Sequence, residues 1–362
     1  MAVTDLWVVD FRCFTDVHVQ LEPEGVTVLR GPNGAGKTSV LEALAWLATQ
    51  RSMRGAPRDA LVRVGEERAI VRARLLSEGR DVTIEAELPR QRGARSWVNR
   101  RLVGRRAELA AVLQVTVFSP DDLQLVQGGP ATRREYLDDV LADGHPRMDA
   151  LTTDVERAVR QRTALLRQLN GRLDDAAASS LDVWDERLAR AGTDLADARA
   201  ELVGQLQEMV ADAYSTLART PERVTLAYER SWDGALGESL RSHRDVDVRR
   251  QVTSVGPHRD ELVVALSGRP VRTLASQGEQ RCVALALRLA SHELRRRSSS
   301  ESPLLLLDDV FSELDARRSE ALLGLLPAGQ VLLTTATAPP DGVRPARTLE
   351  VVGGALVGTD AA

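Results

Sequence analysis

A glycine-rich segment, GPNGAGKTS at residues 31–39, has the residue types and the spacing that bind a phosphate chain. It fits the pattern G-x-x-x-x-G-K-[ST] through Gly31, Gly36, Lys37 and Thr38, between a strand-like run, VTVLRG, and a helix-like run, TSVLEALAWLA. Glycines let backbone N–H groups curl around a phosphate, and the helix N-terminus adds its positive end. We therefore predict a nucleotide-binding loop that includes a ligand of Mg²⁺, the Thr38 hydroxyl. Its residues are Gly31, Pro32, Asn33, Gly34, Ala35, Gly36, Lys37, Thr38 and Ser39.

Lys37 is the only lysine among the 48 Lys and Arg residues of the chain. A compact ammonium on a flexible stem can bridge β- and γ-phosphate oxygens inside such a loop, whereas the wider, planar guanidinium does not fit the same space. We therefore predict a catalytic role for Lys37. The preference for Arg over Lys at the other basic positions is a feature of composition, and we infer no function from that preference.

A phosphate-binding loop needs a carboxylate partner, and the run LLLLDDV at residues 304–310 supplies two. Its four leucines predict a strand buried on both faces, which ends at Asp308 and Asp309. We expect Asp308 to hold Mg²⁺ opposite Thr38, and Asp309 to orient and deprotonate the attacking water. The alternative for Asp309 is that it only caps the end of the strand.

Length and composition favour a cytoplasmic protein with more than one domain. The chain has 362 residues, which is long enough for two domains, each with a hydrophobic core that needs no disulfide or metal to stabilise it. Its net charge is −4. Cys13 and Cys282 are far apart and lack metal-ligand spacing, which argues against a disulfide framework or a zinc site. No signal-peptide pattern occurs, and no apolar run approaches the ~20 residues that span a bilayer, so we expect no membrane segment.

Positive charge is concentrated between Arg51 and Arg106. This stretch has fifteen Arg against seven Asp and Glu, a balance of +8, so the remainder of the chain carries −12. Arg offers phosphate a bidentate fork and releases counterions, which suits a DNA-binding surface, although solvated strand faces explain the charge equally well. The candidate DNA-contacting residues are Arg51, Arg54, Arg92, Arg95, Arg100 and Arg101.

The chain divides into three predicted segments: an N-terminal lobe at 1–145, a helical arm at 146–220 and a C-terminal lobe at 221–362. In the first lobe, the runs AIVRARLL, DVTIEAEL and VTVF are rich in β-branched residues and predict strands of a second sheet. The last segment returns to short strands, continues with a helix from Gln277 to about Arg297, and ends in a predicted hairpin, LEVVGGALV.

The middle segment has the heptad spacing of packed helices. Apolar or small residues recur in fours and threes from Leu151 to Leu169, with Arg162 in the one polar slot, and again from Leu181 to Leu202. These runs predict an antiparallel helical hairpin whose helices are joined by LDDAAASS. A short projecting arm and helices packed on the core require the same pattern, so both interpretations stay open.

Two further segments resemble motifs of the ABC-type ATPases. SQGEQR at residues 276–281 resembles their signature loop, and SELD at residues 312–315 resembles their D-loop. The resemblance implies that the signature of one subunit binds the γ-phosphate held by the other, so that ATP joins two copies of the chain. The residues that then bind ATP in trans are Ser276, Gln277, Gly278 and Glu279.

The order of the motifs narrows the class. The phosphate loop and the signature lie 240 residues apart, from Gly36 to Ser276, which is similar to SMC-type ATPases that act on DNA and unlike the ATPases of transporters. Thr334 and Thr335 stand where transporters carry a switch histidine, which implies slow hydrolysis. His258 and Arg259 could serve the nucleotide or the DNA, and a structural role is an equal alternative.

Four segments together resemble the RecF family of bacterial DNA replication and repair proteins almost from end to end. They are DFRCF at 10–14, FSPDDLQLVQGGPATRREYLDD at 118–139, GPHRDEL at 256–262 and LLLLDDVFSELD at 304–315. The first has Asp10 where the family usually has Asn. The resemblance implies an α/β, two-lobed ABC-type ATPase head with a phosphate loop and an inserted antiparallel helical arm.

The RecF resemblance implies an ATP-dependent DNA-binding protein that uses ATP and Mg²⁺. It would dimerise on ATP at gapped duplex DNA or at junctions of single and double strands, with single-stranded DNA as a further ligand. It would help load recombinase, with RecR-like and RecO-like partners, in recombinational repair and the SOS response, and DNA would stimulate its weak ATPase activity. One rival is the ATP-binding subunit of a transporter, against which the motif spacing argues. The other is a divergent SMC-like regulatory or defence ATPase.

Overall fold

The computed structural model describes residues 1–91, 93–144, 146–299 and 301–359. They form two compact units. The first contains Met1–Asp122, Thr216–Ala218 and the chain from Arg288 onward, and the second contains Leu123–Ser215 and Arg219–Leu287. The segment boundaries expected at residues 145 and 220 stay a prediction.

The strands and helices alternate along the chain with short 3₁₀ turns at Arg58–Leu61, Pro120–Leu123 and Val310–Glu313. The strands are β1 Ala2–Phe11, β2 Phe14–Gln20, β3 Gly25–Arg30, β4 Arg68–Ser77, β5 Arg80–Pro89, β6 Arg95–Val98, β7 Arg101–Val103, β8 Val115–Phe118, β9 Val224–Glu229, β10 Glu261–Leu266, β11 Arg269–Pro270, β12 Leu304–Asp308, β13 Gln330–Thr335, β14 Pro345–Val352 and β15 Ala355–Thr359. The helices are α1 Lys37–Thr49, α2 Arg106–Ala110, α3 Gln124–Gln127, α4 Pro130–Gly144, α5 Pro146–Gln168, α6 Asp175–Ala218, α7 Leu236–Ser242, α8 Arg244–Arg250, α9 Val271–Leu274, α10 Gln277–Ser298 and α11 Ala316–Leu325.

A six-stranded sheet in the order β15-β14-β3-β13-β12-β8 lies in the first unit. Its strands β14, β3, β13, β12 and β8 are parallel, and β15 pairs antiparallel with β14. Every residue of β12 and β13 is buried, as the run of four leucines predicted for a strand covered on both faces. The carboxyl ends of the neighbouring strands β3, β13 and β12 therefore meet at one edge, where parallel sheets bind their ligands.

The predicted grouping of VTVF with the second sheet is wrong. VTVF forms β8, which pairs in parallel with β12 from Val115 opposite Leu304 to Phe118 opposite Leu307. A four-residue apolar run shows that a strand forms but not which strand it pairs with, because pairing is decided by contacts far away in sequence. The other two runs, AIVRARLL and DVTIEAEL, form neighbouring strands β4 and β5 of the second sheet, as expected.

The second sheet is antiparallel, in the order β2-β1-β4-β5-β6-β7. Side chains alternate along its long strands, so that one face packs into the main core with α1 while the other carries polar and aromatic residues. Helix α1 fills the inner side with Val40, Leu41 and Leu44, each fully buried. This core holds the phosphate loop, because α1 begins directly at the end of the loop.

The second unit contains the predicted helical hairpin. Helices α5 and α6 run antiparallel, since Val155 and Ala158 share one apolar cluster with Leu188 and Leu195, while Leu166 meets Leu181 nearer the turn. The connection is shorter than LDDAAASS, because the Asp174 side chain accepts the backbone N–H of Ala177 and starts α6 at Asp175. Helix α4 was not predicted.

Arg162, the polar residue in the heptad seam, is fully buried between the two helices and α8. Its guanidinium bonds the carboxylates of Asp185 and Asp247, each at 2.6 Å, and the hydroxyl of Thr253 at 3.2 Å. A buried charge requires such partners, because its lost hydration is otherwise uncompensated. Within the described residues, no helix is long and apolar enough to cross a membrane.

Candidate phosphate-binding site and its surroundings

The predicted loop, residues 31–39, connects the end of β3 to the first turn of α1. Gly36 precedes the helix with φ 111°, in a region that glycine adopts readily and L-residues rarely adopt. A Cβ atom at Gly36 would lie 2.6 Å from the sulfur of Cys13, so space as well as conformation demands glycine. Lys37 and Thr38 open the helix, and their backbone N–H groups therefore have no partner within it. Such a helix start favours an anion.

The ammonium of Lys37 lies inside the curve of this loop. It donates to the carbonyl oxygens of Gly31 at 2.7 Å and Pro32 at 3.0 Å, and the residue is only 7% exposed. A buried cation that makes no ion pair with a described residue strengthens the attraction of this helix start for phosphate, because little water screens the cation. The geometry suits the role predicted for the single lysine.

Thr38 and Asp308 meet across 270 residues of sequence. The Thr38 hydroxyl donates to Oδ1 of Asp308 at 2.8 Å, and the Thr334 hydroxyl at the end of β13 donates to the same oxygen at 2.8 Å. The pKa of the Asp308 carboxyl is raised, chiefly because the group is buried and also because Asp309 is negatively charged. The hydrogen bonds from the two hydroxyl groups and the positive charge of Arg54 lower it by less. The sheet thus places two of the predicted metal ligands in contact, with Thr334 as their support.

Asp309 has its backbone in the left-handed region, with φ 50°. Its N–H donates to the Thr334 hydroxyl at 2.9 Å, while its carboxylate makes no hydrogen bond with another described side chain and does not cap the turn that follows. The carboxylate therefore remains available to a water molecule, which favours the catalytic interpretation over that of a strand cap.

The oxygen atoms at this edge fit Mg²⁺ and a phosphate chain. Mg²⁺ takes one or two protein oxygens and fills its other positions with phosphate oxygens and water, and Thr38 and Asp308 offer such a pair. Within the described part of the chain, no cluster of three or more His, Cys, Asp or Glu forms a separate metal site. Mg²⁺ held here would neutralise the charge of the β- and γ-phosphate oxygens.

An ion pair that was not predicted supports the loop from behind. Glu42 of α1 is fully buried, and its carboxylate accepts two bonds from Arg12, at 2.7 and 2.9 Å, and one from the Ser52 hydroxyl at 2.5 Å. The sequence held a signal, since Glu42 stands alone in the apolar run of α1. Asp10, where the RecF family usually has Asn, has φ 48°, a conformation that Asp and Asn both tolerate.

The predicted signature segment belongs to the second unit and begins α10. The N–H of Ser276 donates to the Glu279 carboxylate at 2.6 Å, and the N–H of Glu279 donates to the Ser276 hydroxyl at 3.4 Å, a reciprocal cap. Hydrogen bonding of the Glu279 carboxylate to the Ser276 hydroxyl, and then to the Ser276 N–H, lowers the pKa of Glu279. Ser276 and Gln277 are exposed, Gly278 and Glu279 are half-buried, and Gln280 anchors the segment through the carbonyls of Val271 and Arg272, both at 3.1 Å.

The arginines predicted to contact DNA lie in the first unit. Those at positions 51, 54, 95, 100 and 101 are exposed, and Arg92 lies outside the described residues. The charge of Arg54 acts on Asp308, so Arg54 lies near the phosphate-binding edge. In the second unit, His258 and Arg259 both bond the carbonyl of Thr253, at 3.0 and 3.3 Å. The choice between a structural role and contact with nucleotide or DNA stays a prediction.

Comparisons with known proteins agree with this geometry. A family model described as the RecF/RecN/SMC N-terminal domain matches residues 2–338. The chain is 40% identical over 355 residues to the DNA replication and repair protein RecF of Acidothermus cellulolyticus, covering 94% of this chain and 95% of that one. It is 41% identical over 357 residues to the protein of the same name from Streptomyces avermitilis, with the same shares covered.

Solved structures agree as well. One described as the recombination mediator protein RecF with ATP in the RecFOR pathway has a TM-score of 0.91 at 25% identity, covering 99% of this chain and 97% of that chain. An SMC head domain from Pyrococcus furiosus has a TM-score of 0.59 at 14% identity, covering 99% and 96%, and shares the fold. The predicted α/β fold of an ABC/SMC-type ATPase head is confirmed. Because the family model spans residues 2–338 and two RecF proteins at 40% and 41% identity each cover 94% of the chain, the chain belongs to the RecF family.

Proposed function

We propose that this protein is an ATP-hydrolysing, DNA-binding protein of DNA replication and repair. The observation that carries the proposal is the 2.8 Å contact between Thr38 and Asp308, which joins the phosphate loop to the acidic strand in a chain of the RecF family. The RecF structure with ATP, of comparable length, supports ATP as the nucleotide. ATP and Mg²⁺ are accordingly its proposed ligands.

In the proposed reaction, each residue at the edge of the parallel sheet has one task. Lys37 and the backbone N–H groups of the loop hold the phosphates, and Thr38 and Asp308 hold Mg²⁺. Asp309 orients a water molecule and takes its proton as the water attacks the γ-phosphate. The bond between the γ-phosphorus and the β,γ-bridging oxygen breaks in the same step, and ADP leaves. The buried setting of Lys37 and Asp308 supports these roles, because charges act more strongly where water is excluded.

The second part of the proposal is a dimer that forms on ATP. Ser276 and Gly278 begin a 22-residue helix, and an exposed helix start with a serine hydroxyl suits the γ-phosphate held by another copy. Gln277 and Glu279 shape that surface, since Glu279 accepts the N–H of Ser276. ATP would then join two heads, and its hydrolysis would release them.

The third part concerns DNA and partners. The exposed arginines at positions 51, 95, 100 and 101 would contact phosphates of duplex or gapped DNA, so that binding depends strongly on salt and weakly on sequence. The name RecFOR in the description of the related structure suggests RecO-like and RecR-like partners. The proposed task is to assist recombinase loading at gaps in recombinational repair and the SOS response, with weak ATPase activity that DNA stimulates. We also propose the lobe, arm and lobe division at 1–145, 146–220 and 221–362.

Light scattering tests the proposal on wild type and on Ser276→Arg, each with and without ATP, Mg²⁺ and a gapped duplex. Wild type should change from monomer to dimer with ATP, and Ser276→Arg should stay monomeric while it still binds ATP. Ser180→Arg, a matched change at an exposed serine of α6, should dimerise like wild type. A mass that never changes although ATP binds would overturn the dimer and favour a divergent SMC-like ATPase.

A further inference from the structure

The face of the antiparallel sheet that points away from the core carries one continuous row of side chains across all six strands. Strand register places them opposite one another in the order His18, Trp7, Arg72, Glu85, Trp97 and Leu102, which we name the cross-strand row. An open cavity of about 680 Å³ lies over it, lined also by Arg74, Thr83, Asn99 and Arg100. All of these residues belong to the first unit.

The two tryptophans on this face differ in whether other side chains cover their rings. The rings of Trp7 and His18 are stacked, with centroids 4.7 Å apart and planes inclined by 1°, and the guanidinium of Arg74 lies 5.6 Å from the Trp7 ring centroid. Trp97 is half-buried, and within the described residues no ring or guanidinium lies over its indole. Trp97 therefore offers a flat surface that another planar group can cover.

The charge on this face favours an anion. The cavity is lined by three arginines and one acidic residue, Glu85, which bonds Arg72 at 2.6 Å. Arg74 lies 3.7 Å from Asp5 and keeps half of its side chain exposed, and Arg100 makes no ion pair with a described residue. Arg74 and Arg100 thus present positive charge beside Trp97.

Arg100 occupies an unusual backbone position. Asn99 and Arg100 form the two-residue turn between β6 and β7, with φ values of 47° and 67°. Turns of this kind favour Asn followed by Gly, and a bulky residue in the left-handed region is strained. An exposed arginine in this strained position favours a binding role for its charge.

We propose that the cross-strand row binds the unpaired bases of single-stranded DNA. Bases stack on exposed aromatic side chains and on guanidinium planes, and antiparallel sheets of other single-strand-binding proteins use aromatic side chains in this way. Arg74 and Arg100 bind the phosphates, and Asn99 and Thr83 offer hydrogen-bonding groups to base edges. Duplex DNA hides its bases in the stack, so this face discriminates a gap from a continuous duplex.

The spacing of the two tryptophans suits a short segment of strand. Trp7 on β1 and Trp97 on β6 are separated by β4 and β5, which gives roughly 14 Å at about 4.8 Å per strand. Stacked nucleotides rise about 3.4 Å each, so roughly four of them span this distance. The inference rests on the proposed DNA binding and specifies which part of a gapped substrate this face binds.

Fluorescence anisotropy tests it, with a labelled gapped duplex and a labelled continuous duplex at one salt concentration. Trp97→Ala should weaken binding of the gapped duplex by about fivefold or more, because stacking of one base is lost, and leave the continuous duplex unchanged. Trp97→Phe, which keeps a ring, should retain most of the affinity. Trp184→Ala is the matched control, since this indole lies in the second unit with Arg187 over it at 5.0 Å.

Arg100→Gly gives an independent test that does not depend on the aromatic residue. It removes the cation and also relieves the turn, so the variant should fold at least as stably as wild type and yet bind the gapped duplex less tightly. Equal affinity of wild type and both Trp97→Ala and Arg100→Gly for the gapped duplex would overturn the inference, and so would a loss in Trp97→Ala that is equal on the gapped and the continuous duplex. If wild type binds neither DNA, the proposed function itself fails.

Discussion

Thr334 holds both acidic residues that end β12, since its hydroxyl donates to Oδ1 of Asp308 at 2.8 Å and accepts the N–H of Asp309 at 2.9 Å. It can do so because β13 lies between β3 and β12 in the sheet. The phosphate loop follows β3, and Asp308 and Asp309 come at the end of β12. One threonine on the middle strand therefore fixes the acidic pair beside the loop.

Replacing Thr334 by Val should weaken the response to Mg²⁺. The change keeps the shape but removes a hydrogen bond to a charged group, which corresponds to roughly a tenfold loss or more of ATPase activity at limiting Mg²⁺. Higher Mg²⁺ should recover part of the loss, and Thr334→Ser should behave as wild type. Thr27→Val is the control, since the buried Thr27 hydroxyl has no partner within the described residues. If Thr334→Val leaves the dependence of ATPase activity on Mg²⁺ concentration unchanged, Thr334 does not support the metal ligand Asp308.

Lys37→Arg should abolish tight ATP binding although it conserves the charge. The ammonium lies within 3.0 Å of two loop carbonyls, and the wider guanidinium has no room there. Binding of a fluorescent ATP analogue measures the effect, and thermal unfolding without nucleotide shows whether the fold survives. Lys37→Arg that binds the analogue as tightly as wild type would show that charge alone suffices.

Asp309→Asn should separate binding from hydrolysis. Its carboxylate makes no hydrogen bond with another described side chain, so its loss should leave ATP affinity unchanged while hydrolysis falls about 100-fold or more. Single-turnover hydrolysis and equilibrium ATP binding are measured side by side, with the exposed Asp341→Asn as control. A variant that hydrolyses ATP at the wild-type rate would restore the alternative in which Asp309 only ends the strand.

The leucine run and the glycine loop were readable from the sequence because each is a local pattern. The order of the strands was not, because β3, near the start of the chain, pairs with β13, near its end, and no local pattern encodes that pairing. For the same reason, the sequence indicated that Thr334 stands where transporters carry a switch histidine, but it did not predict the contact between Thr334 and Asp308. The cross-strand row was not predicted, because Trp7 and Trp97 are placed on one row of the sheet only by the register of four strands.

Arg162 shows the same limit inside the helical hairpin. The heptad pattern identified a polar residue in the seam, but its partner Asp247 lies 85 residues away in α8. Arg162→Leu should lower the free energy of unfolding by about 3–5 kcal/mol, because it leaves the buried carboxylate of Asp247 without its cation. Asp185 loses one of its two cations and keeps Arg244 at 2.6 Å. Urea unfolding measures this, and Arg160→Leu on the exposed side of α5 should change it by about 0.5 kcal/mol or less. Equal midpoints for the two variants would contradict a buried network at this seam.

His292 should make the protein less stable in acid. Its ring is 2% exposed, Nδ1 lies 2.9 Å from the Thr116 hydroxyl, and burial followed by the charge of Arg295 lowers its pKa from 6.5 to about 4. Below pH 6.5 the His292 side chain binds a proton in the unfolded chain but not in the folded chain. The free energy of unfolding therefore has its full value above pH 6.5 and decreases as the pH falls from 6.5 to about 4. A lowering from 6.5 to about 4 corresponds to about 3 kcal/mol.

His292→Gln isolates this contribution, because Gln keeps a polar side chain near Thr116 but cannot take up the proton. The difference in free energy of unfolding between wild type and His292→Gln should therefore shrink or reverse in favour of the variant as the pH falls from 7 to 4.5. His258→Gln should give the same sign, since burial also lowers the pKa of His258 to about 4. A wild-type curve parallel to that of His292→Gln over this range would mean that His292 titrates alike in the folded and unfolded chains.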